Sequence, residues 1–392
     1  MATNARTNSR PGAVRMSAKQ RSERQKRKLI IFGVEVIVIL IMVGVLYLVL
    51  HTTEVEPHVT ALDPEALKIP EQVVTQKEEG GAMGGYMNIA LFGVDAKNET
   101  ELYKNSRSDT IMIASINMDT GDIKLVSVYR DSYLNLGTDK YHKCNGAYSA
   151  GGAAQAVGML NMNLDMDITD FVTVGYAGLA EVIDGLGGVY IEVDEAEISH
   201  LNNYQYSIIG KLAKKYIDVP SELNFTPDEY FNDYEVVTVK EPGYQLLNGL
   251  QAAAYCRIRY VGDDFQRTAR QREVIKAIEA QAKKADLATL TKAFEKAADD
   301  IYTSLDKKTI LELLPKIADY RIVDESGFPE ISMRQSVNMG AKGLCEVPVN
   351  LESSVSWLHG FLFGDDNYQV SDTVKEINSQ IRKDAGKYLQ GN

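Results

Sequence analysis

Residues 29–50, LIIFGVEVIVILIMVGVLYLVL, form an apolar run of 22 residues that carries one charge, Glu35. At about 1.5 Å of rise per residue, a helix of this length crosses a hydrocarbon layer of roughly 30 Å. Nothing else in the sequence constrains the chain so strongly, because such a helix divides it between two sides of a membrane. Ahead of the run, residues 1–28 hold nine Lys or Arg against a single Glu23, a net +8, whereas Glu54, Glu56, Asp63 and Glu65 follow it. The basic flank stays in the cytoplasm. The expected organisation is therefore a basic cytoplasmic tail (1–28), a single transmembrane helix (29–50) and an extracellular remainder held at the cell membrane. A cleaved signal peptide fits less well, since the run exceeds an h-region and no small-residue cleavage site follows closely. Glu35 lies within two turns of the cytoplasmic end, where snorkelling or protonation accommodates it.

The whole chain carries a formal charge of −12, so with +8 in the tail the rest carries −20. An external part this acidic argues against nucleic acid as a partner. The basic tail is accounted for by the topology rule and by anionic lipid headgroups. The cysteines are Cys144, Cys256 and Cys345. An odd number gives no disulfide framework; a single Cys144–Cys256 bridge and buried free thiols both stay open.

Residues 51–85 are acidic, rich in Pro, Glu and Gly, and end GGAMGG, which reads as a stalk between membrane and domain. Order is expected from 86 to 392. MNIALFGVD (87–95) is a buried-strand pattern, and TIMIASIN (110–117) and DIKLVSVY (122–129) flank an Asp-Thr-Gly hairpin signal. With the turn centred between Asp119 and Thr120, opposed residues sum to 239, which sets Asp109 against Arg130 at the open end of the hairpin. A slip of one residue would break that pairing. Helical patterns follow at 146–164, 178–186, 247–255 and 265–285, with strands at 171–176 and 189–193. CRIRY (256–260) reads as a short strand, and 195–242 as an irregular insertion. Strands and helices alternate throughout, so the class is α/β (α+β): a mixed central sheet covered by helices.

The five histidines have no metal spacing, and no phosphate-binding Gly-rich loop is present. GAYSAGG lacks the first Gly of a nucleophile elbow, which leaves Ser149 a plain helix residue. Carboxylates and guanidiniums remain. Asp95 and Asp109 sit at strand ends, where two carboxylates can share Mg²⁺ or Mn²⁺. Equally, Asp95 can cap a turn while Asp109 bridges Arg130. The stretch RIRYVGDDFQRTARQR (257–272) gathers five arginines and no lysine in this acidic chain. On a strand, Arg257 and Arg259 share a face. On the next helix Arg267, Arg270 and Gln271 share another, with Asp264 at the N-cap position and Arg272 turned to solvent. Arginine binds phosphate oxygens bidentately and keeps its charge, so strand and helix together can form a phosphate clamp.

These segments, NIALFGVD, SRSDTIMIASIN, KLVSVYRDSYL, KCNGAYSAGG, VIDGLGGV, LNGLQAAAYCRIRY and DFQRTARQREVI, in this order, resemble the LytR–CpsA–Psr proteins of Gram-positive membranes. The resemblance covers about 86–284 and extends to the single-pass anchor with a short basic tail. It implies a phosphotransferase that moves a glycopolymer from an undecaprenyl-pyrophosphate carrier onto peptidoglycan through a phosphodiester. It also implies that Asp95 and Asp109 hold Mg²⁺ on the pyrophosphate, and that Arg107, Arg130, Arg257, Arg259, Arg267 and Gln271 bind its oxygens. Asp264 would orient the arginines or act as base, and Asp131 is the other candidate base. The polyprenyl tail would lie in an apolar tunnel between sheet and helices, and the protein would act as a monomer at the lipid surface.

The sequence departs from the family pattern at Tyr129, where Pro is common before the RD, at Gln266, where DFGR has Gly, and at Cys144, where an aliphatic residue is usual. None removes a charged group. Two other activities stay open: a polyprenyl-pyrophosphate-lipid pyrophosphatase using the same pocket with water, and a non-catalytic envelope regulator. The polymer carried, teichoic acid or capsule, is not specified by these residues.

Overall fold

The computed structural model describes residues 58–94, 96, 102–208, 234–313 and 317–389. The expected tail and transmembrane helix, and Asp95, lie outside the described residues; among those described, no helix is long and apolar enough to cross a membrane. All described residues belong to one unit, Val55–Asn392.

The chain opens with β1 (His58–Val59) and α1 (Glu71–Glu78), then runs through β2 (Tyr86–Val94), β3 (Ser108–Asn117) and β4 (Asp122–Val128). Residues 58–85 do not form a free stalk, since from residue 58 the chain lies on the domain; the start of the expected stalk lies outside the described residues. Leu67, Val73 and Met83 punctuate this polar segment and are buried. Asn161 Nδ2 ties it down by donating to the Leu67 carbonyl at 2.8 Å. The β3–β4 hairpin has the register read from its turn: Met112 opposes Ser127 and Ile116 opposes Ile123.

A short hairpin, β5 (Tyr133–Asn135) and β6 (Tyr141–Lys143), leads into α2 (Gly146–Leu164), β7 (Asp170–Val174) and α3 (Tyr176–Gly185). Next come β8 (Val189–Val193), α4 (Glu195–Ile208), β9 (Gly243–Leu247), α5 (Gly249–Tyr255), α6 (Asp264–Ala282) and α7 (Leu287–Ala297). The last third holds β10 (Ile301–Thr303), α8 (Lys307–Leu313), β11 (Arg321–Phe328), β12 (Arg334–Asn338), β13 (Leu344–Pro348), α9 (Leu351–Phe363) and α10 (Asp372–Leu389). Seven strands form one mixed sheet in the order β1-β10-β7-β2-β3-β4-β11. β8 and β9 pair apart from it as a small antiparallel sheet.

Side chains alternate across the sheet. Phe92, Ile111, Ile113, Val126 and Val128 point into a core shared with Leu160 of α2, Val355 and Leu358 of α9 and Ile381 of α10. Ser127 points the other way and accepts from Arg272 Nη1 at 2.9 Å, so α6 covers the opposite face. Arg272 is therefore not a solvent residue: its side chain is 11% exposed and also pairs with Glu325 of β11 at 3.6 Å. A second core joins α3, β8, α4, α5 and α6 through Ile183, Ile191, Leu201, Leu250 and Val274. Hence the first part of the expected 195–242 insertion is α4, an integral core helix, while 209–233 lie outside the described residues. All three cysteines are free and buried, so no Cys144–Cys256 bridge forms, and burial pushes the Cys256 thiol up to about 12.

Candidate active site

Three chain segments converge on one carboxylate, Asp109. Because the β3–β4 register holds, Arg130 just past β4 reaches back to donate from Nη1 to Asp109 Oδ1 at 2.7 Å. The turn that carries Arg130 is fixed from behind. The Cys144 thiol donates to the Tyr129 carbonyl at 3.1 Å, and the Asn145 and Cys144 amides donate to the Arg130 and Ser132 carbonyls.

The second segment is 256–260, and it is not a strand. The amides of Cys256, Arg257 and Ile258 donate back to Ala252, Ala254 and Tyr255, so the chain leaves α5 as a tightening turn with no partner strand. The alternation survives in another form. Ile258 is buried, while Arg259 Nη2 donates to Asp109 Oδ2 at 2.7 Å. Arg257 packs its guanidinium over the rings of Tyr176 at 4.9 Å and Tyr204 at 5.8 Å, a cation–π arrangement.

The third segment is the start of α6. Asp263, one residue earlier than expected, is the N-cap and accepts from the Gln266 amide at 3.0 Å. Asp264 is thereby released to face the arginines: it meets Arg267 Nη2 at 2.9 Å and Arg130 Nε at 3.5 Å. Gly262 makes the turn into this helix with φ +88°, and a Cβ there would run into the Gln266 side chain. Gly262→Ala is expected to cost about 1–2 kcal/mol for the left-handed backbone alone, measurable as a lowered urea midpoint with unchanged slope.

The charge balance of this cluster is the feature that matters chemically. Arg267, with 1% of its side chain exposed, donates from Nη2 to the Asp109 carbonyl at 3.1 Å and lies 3.6 Å from its Oδ2. Among the described residues, Arg130, Arg259, Arg267 and Lys143 thus share Asp109, Asp264 and Asp131, four cations for three anions. Burial, together with the neighbouring Arg130 and Arg259, holds the Arg267 pKa below its ordinary value despite Asp264 and Asp109. Burial alone would raise the Asp109 pKa, but Arg130, Arg267 and Arg259 outweigh it and hold the carboxyl below its usual range. Arg267 Nε is buried without a hydrogen-bond acceptor, and Arg130 Nε has only the longer ion-pair contacts to Asp264 and Asp131, so one charged donor awaits an acceptor.

The remaining sequence-selected residues divide. Asp131 joins the cluster, with Oδ2 3.8 Å from Arg130 Nε and Oδ1 3.0 Å from Lys143 Nζ. Arg107 is exposed on the strand-entry side and lies near enough to His142 to help depress its pKa, after burial, Lys342 and Lys143. Gln271 is buried behind Arg267, its amide directed at the Cys256 carbonyl at 3.5 Å. Arg270, on the same helix face, turns instead to Glu197 of α4 at 2.5 Å. The two readings of Asp109 left open by spacing meet here, for it does bridge Arg130. Among the described residues no group of three or more His, Cys, Asp or Glu gathers for a metal ion. A cation at Asp109 requires the second carboxylate expected from Asp95, outside the described residues.

Sequence reasoning missed Lys143, Glu197, Arg334 and Glu346. Lys143 is the first residue of the KCNGAYSAGG segment, which carries no signal of its charge role; the others reach the site from segments with no local signature.

Comparison with known proteins identifies the family and the fold. The LytR_cpsA_psr family pattern matches residues 47–339. A relative in Enterococcus faecalis, named polyisoprenyl-teichoic acid–peptidoglycan teichoic acid transferase TagU, is 29% identical over 49% of this chain and 52% of its own length. A protein of the same name in Oceanobacillus iheyensis is 25% identical over 78% of this chain and 86% of its own. The chain thus spans about half the length of the Enterococcus relative. Among solved structures, protein gbs0355 from Streptococcus agalactiae superposes with a TM-score of 0.57 at 20% identity, covering 81% of this chain and 98% of that one. TagT bound to LIIa-WTA superposes at 0.50 with 19% identity, covering 78% and 92%. With the family pattern spanning most of the folded unit and the same fold in these structures, the chain belongs to the LytR–CpsA–Psr family.

Proposed function

We propose that this protein transfers a glycopolymer from an undecaprenyl-pyrophosphate carrier to peptidoglycan, forming a phosphodiester. The observation that carries the reading is the guanidinium cluster around Asp109, one negative charge short among the described residues and with the Arg267 Nε donor buried and unmet. A pyrophosphate supplies the missing anion, and Arg binds its oxygens in planar, bidentate fashion. The names of the relatives support the same donor and acceptor classes.

In this reaction a sugar hydroxyl of peptidoglycan attacks the glycan-linked phosphorus. The new P–O bond forms as the bond to the lipid phosphate breaks, and undecaprenyl phosphate leaves. Arg130, Arg259 and Arg267 neutralise charge on the phosphoryl oxygens, with Arg107 and Arg257 reaching the same ligand and Gln271 backing Arg267. Catalysis of this kind is mostly positioning and charge stabilisation. Asp264, paired with two of the arginines, orients them. Asp131 has the freer oxygen beside Arg130 and takes the hydroxyl proton. Mg²⁺ or Mn²⁺, when bound by Asp95 and Asp109, supplies further neutralisation of the pyrophosphate. The anchor at 29–50 keeps the site at the lipid surface on the outer face of the membrane.

Full-length protein, a labelled polyprenyl-pyrophosphate-linked glycan and peptidoglycan test this. The expected product is glycan joined to peptidoglycan by a phosphodiester, Mg²⁺-dependent, and reduced about a hundredfold or more by Arg259→Ala. Glycan phosphate released equally with or without acceptor would identify a pyrophosphatase. No turnover, together with an Arg259→Ala variant that still complements a deletion strain, would identify a regulator.

A further inference from the structure

A single guanidinium from the C-terminal hairpin gathers four segments behind the site. Arg334, the first residue of β12, has 7% of its side chain exposed and pairs through Nε with Glu346 of β13 at 3.4 Å. Its Nη1 donates to the Pro329 carbonyl beyond β11 at 2.8 Å. Its plane lies 3.8 Å from the Phe265 ring centre and 4.5 Å from that of Tyr129. Those rings also meet each other edge-on at 4.6 Å. Phe265 follows Asp264 and Tyr129 precedes Arg130 and Asp131, so the stack sits one residue from each arm of the charged cluster. The same hairpin holds the second arm directly, because the Glu346 amide donates to the Asp131 carbonyl at 2.9 Å. Tyr129 is packed so closely over Gly327 of β11 that a Cβ there would fall 2.0 Å from its hydroxyl. Tyr129, which stands in place of the family's common Pro, thus gains a partner that Pro could not stack with in this way.

We propose that Arg334 is a positioning residue for the transfer step: by clamping Phe265 against Tyr129 it sets the start of α6 against the end of β4, and so fixes Asp264 and Asp131 relative to Arg130. No hydrogen bond or ion pair joins Arg334 to either carboxylate, which it reaches only through Phe265, Tyr129 and Glu346, so it acts on geometry and not on the ligand. The donor-binding arginines have an anchor outside the stack, since Arg130, Arg259 and Arg267 all donate to Asp109. Loss of the stack should therefore spare donor binding and slow the chemical step. The inference rests on the transferase reading above.

The test uses full-length wild type, Arg334→Met, Phe265→Leu and the double variant. Each is assayed for transfer from the labelled polyprenyl-pyrophosphate-linked glycan and for binding of that donor without acceptor. Arg334→Met should lower kcat about a hundredfold, the loss that a misplacement of about 1 Å produces, with donor affinity kept within about twofold. Phe265→Leu should give a similar loss, and the double variant no further loss, as expected of two groups acting through one contact. Wild type that turns over while Arg334→Met matches it would overturn the positioning role alone. Losses that multiply in the double variant, or that fall on donor affinity as much as on kcat, would make Arg334 merely structural and also overturn it. Wild type that binds donor but never transfers it would overturn the transferase reading and this role with it.

Discussion

Asp109→Asn is expected to abolish measurable transfer and to destabilise the domain by about 3 kcal/mol. The stability figure is the lower end of the range for removing one partner of a buried ion pair. The lower end applies because Asp109 keeps 16% side-chain exposure and water screens part of the loss. The effect is large because one carboxylate serves three guanidiniums at once. Without it Arg130, Arg259 and Arg267 repel one another with only Asp264 and Asp131 left to offset them among the described residues. The pH dependence gives this prediction a sign. Asp109 has a native pKa held below its ordinary 3.8, so its contribution to stability is complete above 3.8 and is lost as pH falls through the lower native value. Urea unfolding of both proteins should show a constant gap from neutral pH down to about 5, narrowing only below the ordinary carboxylate range. A gap that closes at higher pH, or widens on acidification, would mean that Asp109 is not held ionised by the cluster.

Glu197→Ala is expected to cost about 3–5 kcal/mol, because it strands a buried arginine. The Glu197 and Arg270 side chains are 5% and 7% exposed and meet at 2.5 Å. Arg270 spends its remaining donors on the carbonyls of Ile258 at 3.2 Å and Val261 at 2.7 Å, so the pair staples α4 and α6 to the turn that carries Arg257 and Arg259. The consequence reaches the site. Donor affinity should fall along with the unfolding midpoint, whereas Glu197→Gln, which can keep a hydrogen bond to Nε, should lose less of both. Calorimetric melting and donor titration on the two variants check this; an alanine variant as stable as wild type would show that the pair is not needed.

The sequence was most legible where a local signal fixed geometry. Asp-Thr-Gly set the β3–β4 register, and with it the Asp109–Arg130 contact between residues far apart along the hairpin. Elsewhere the same reasoning failed for physical reasons. CRIRY alternates like a strand, but pairing needs a partner edge, and its amides are already used by the end of α5. Asp264 stands where the sequence places the cap, but its neighbour Asp263 is the residue with extended backbone that accepts from the Gln266 amide. Arg272 looked like a solvent residue because it is charged, yet its helix face is turned to the sheet, where Ser127 and Glu325 receive it. The sheet order, which brings β11 beside β4 and the β12–β13 hairpin behind the site, depends on partners more than a hundred residues apart. That is why Arg334 and Glu346 could not be read from the motifs they support.

On the proposed function, the arginines around Asp109 hold a polyprenyl pyrophosphate. Extraction of lipid from purified full-length protein, followed by mass spectrometry, tests it most directly. Polyprenyl phosphate or pyrophosphate is expected in near-stoichiometric amount on wild type, and is expected to be lost from an Arg259→Ala variant of unchanged melting temperature. Wild type free of such lipid, or equal lipid on the two proteins, would contradict it.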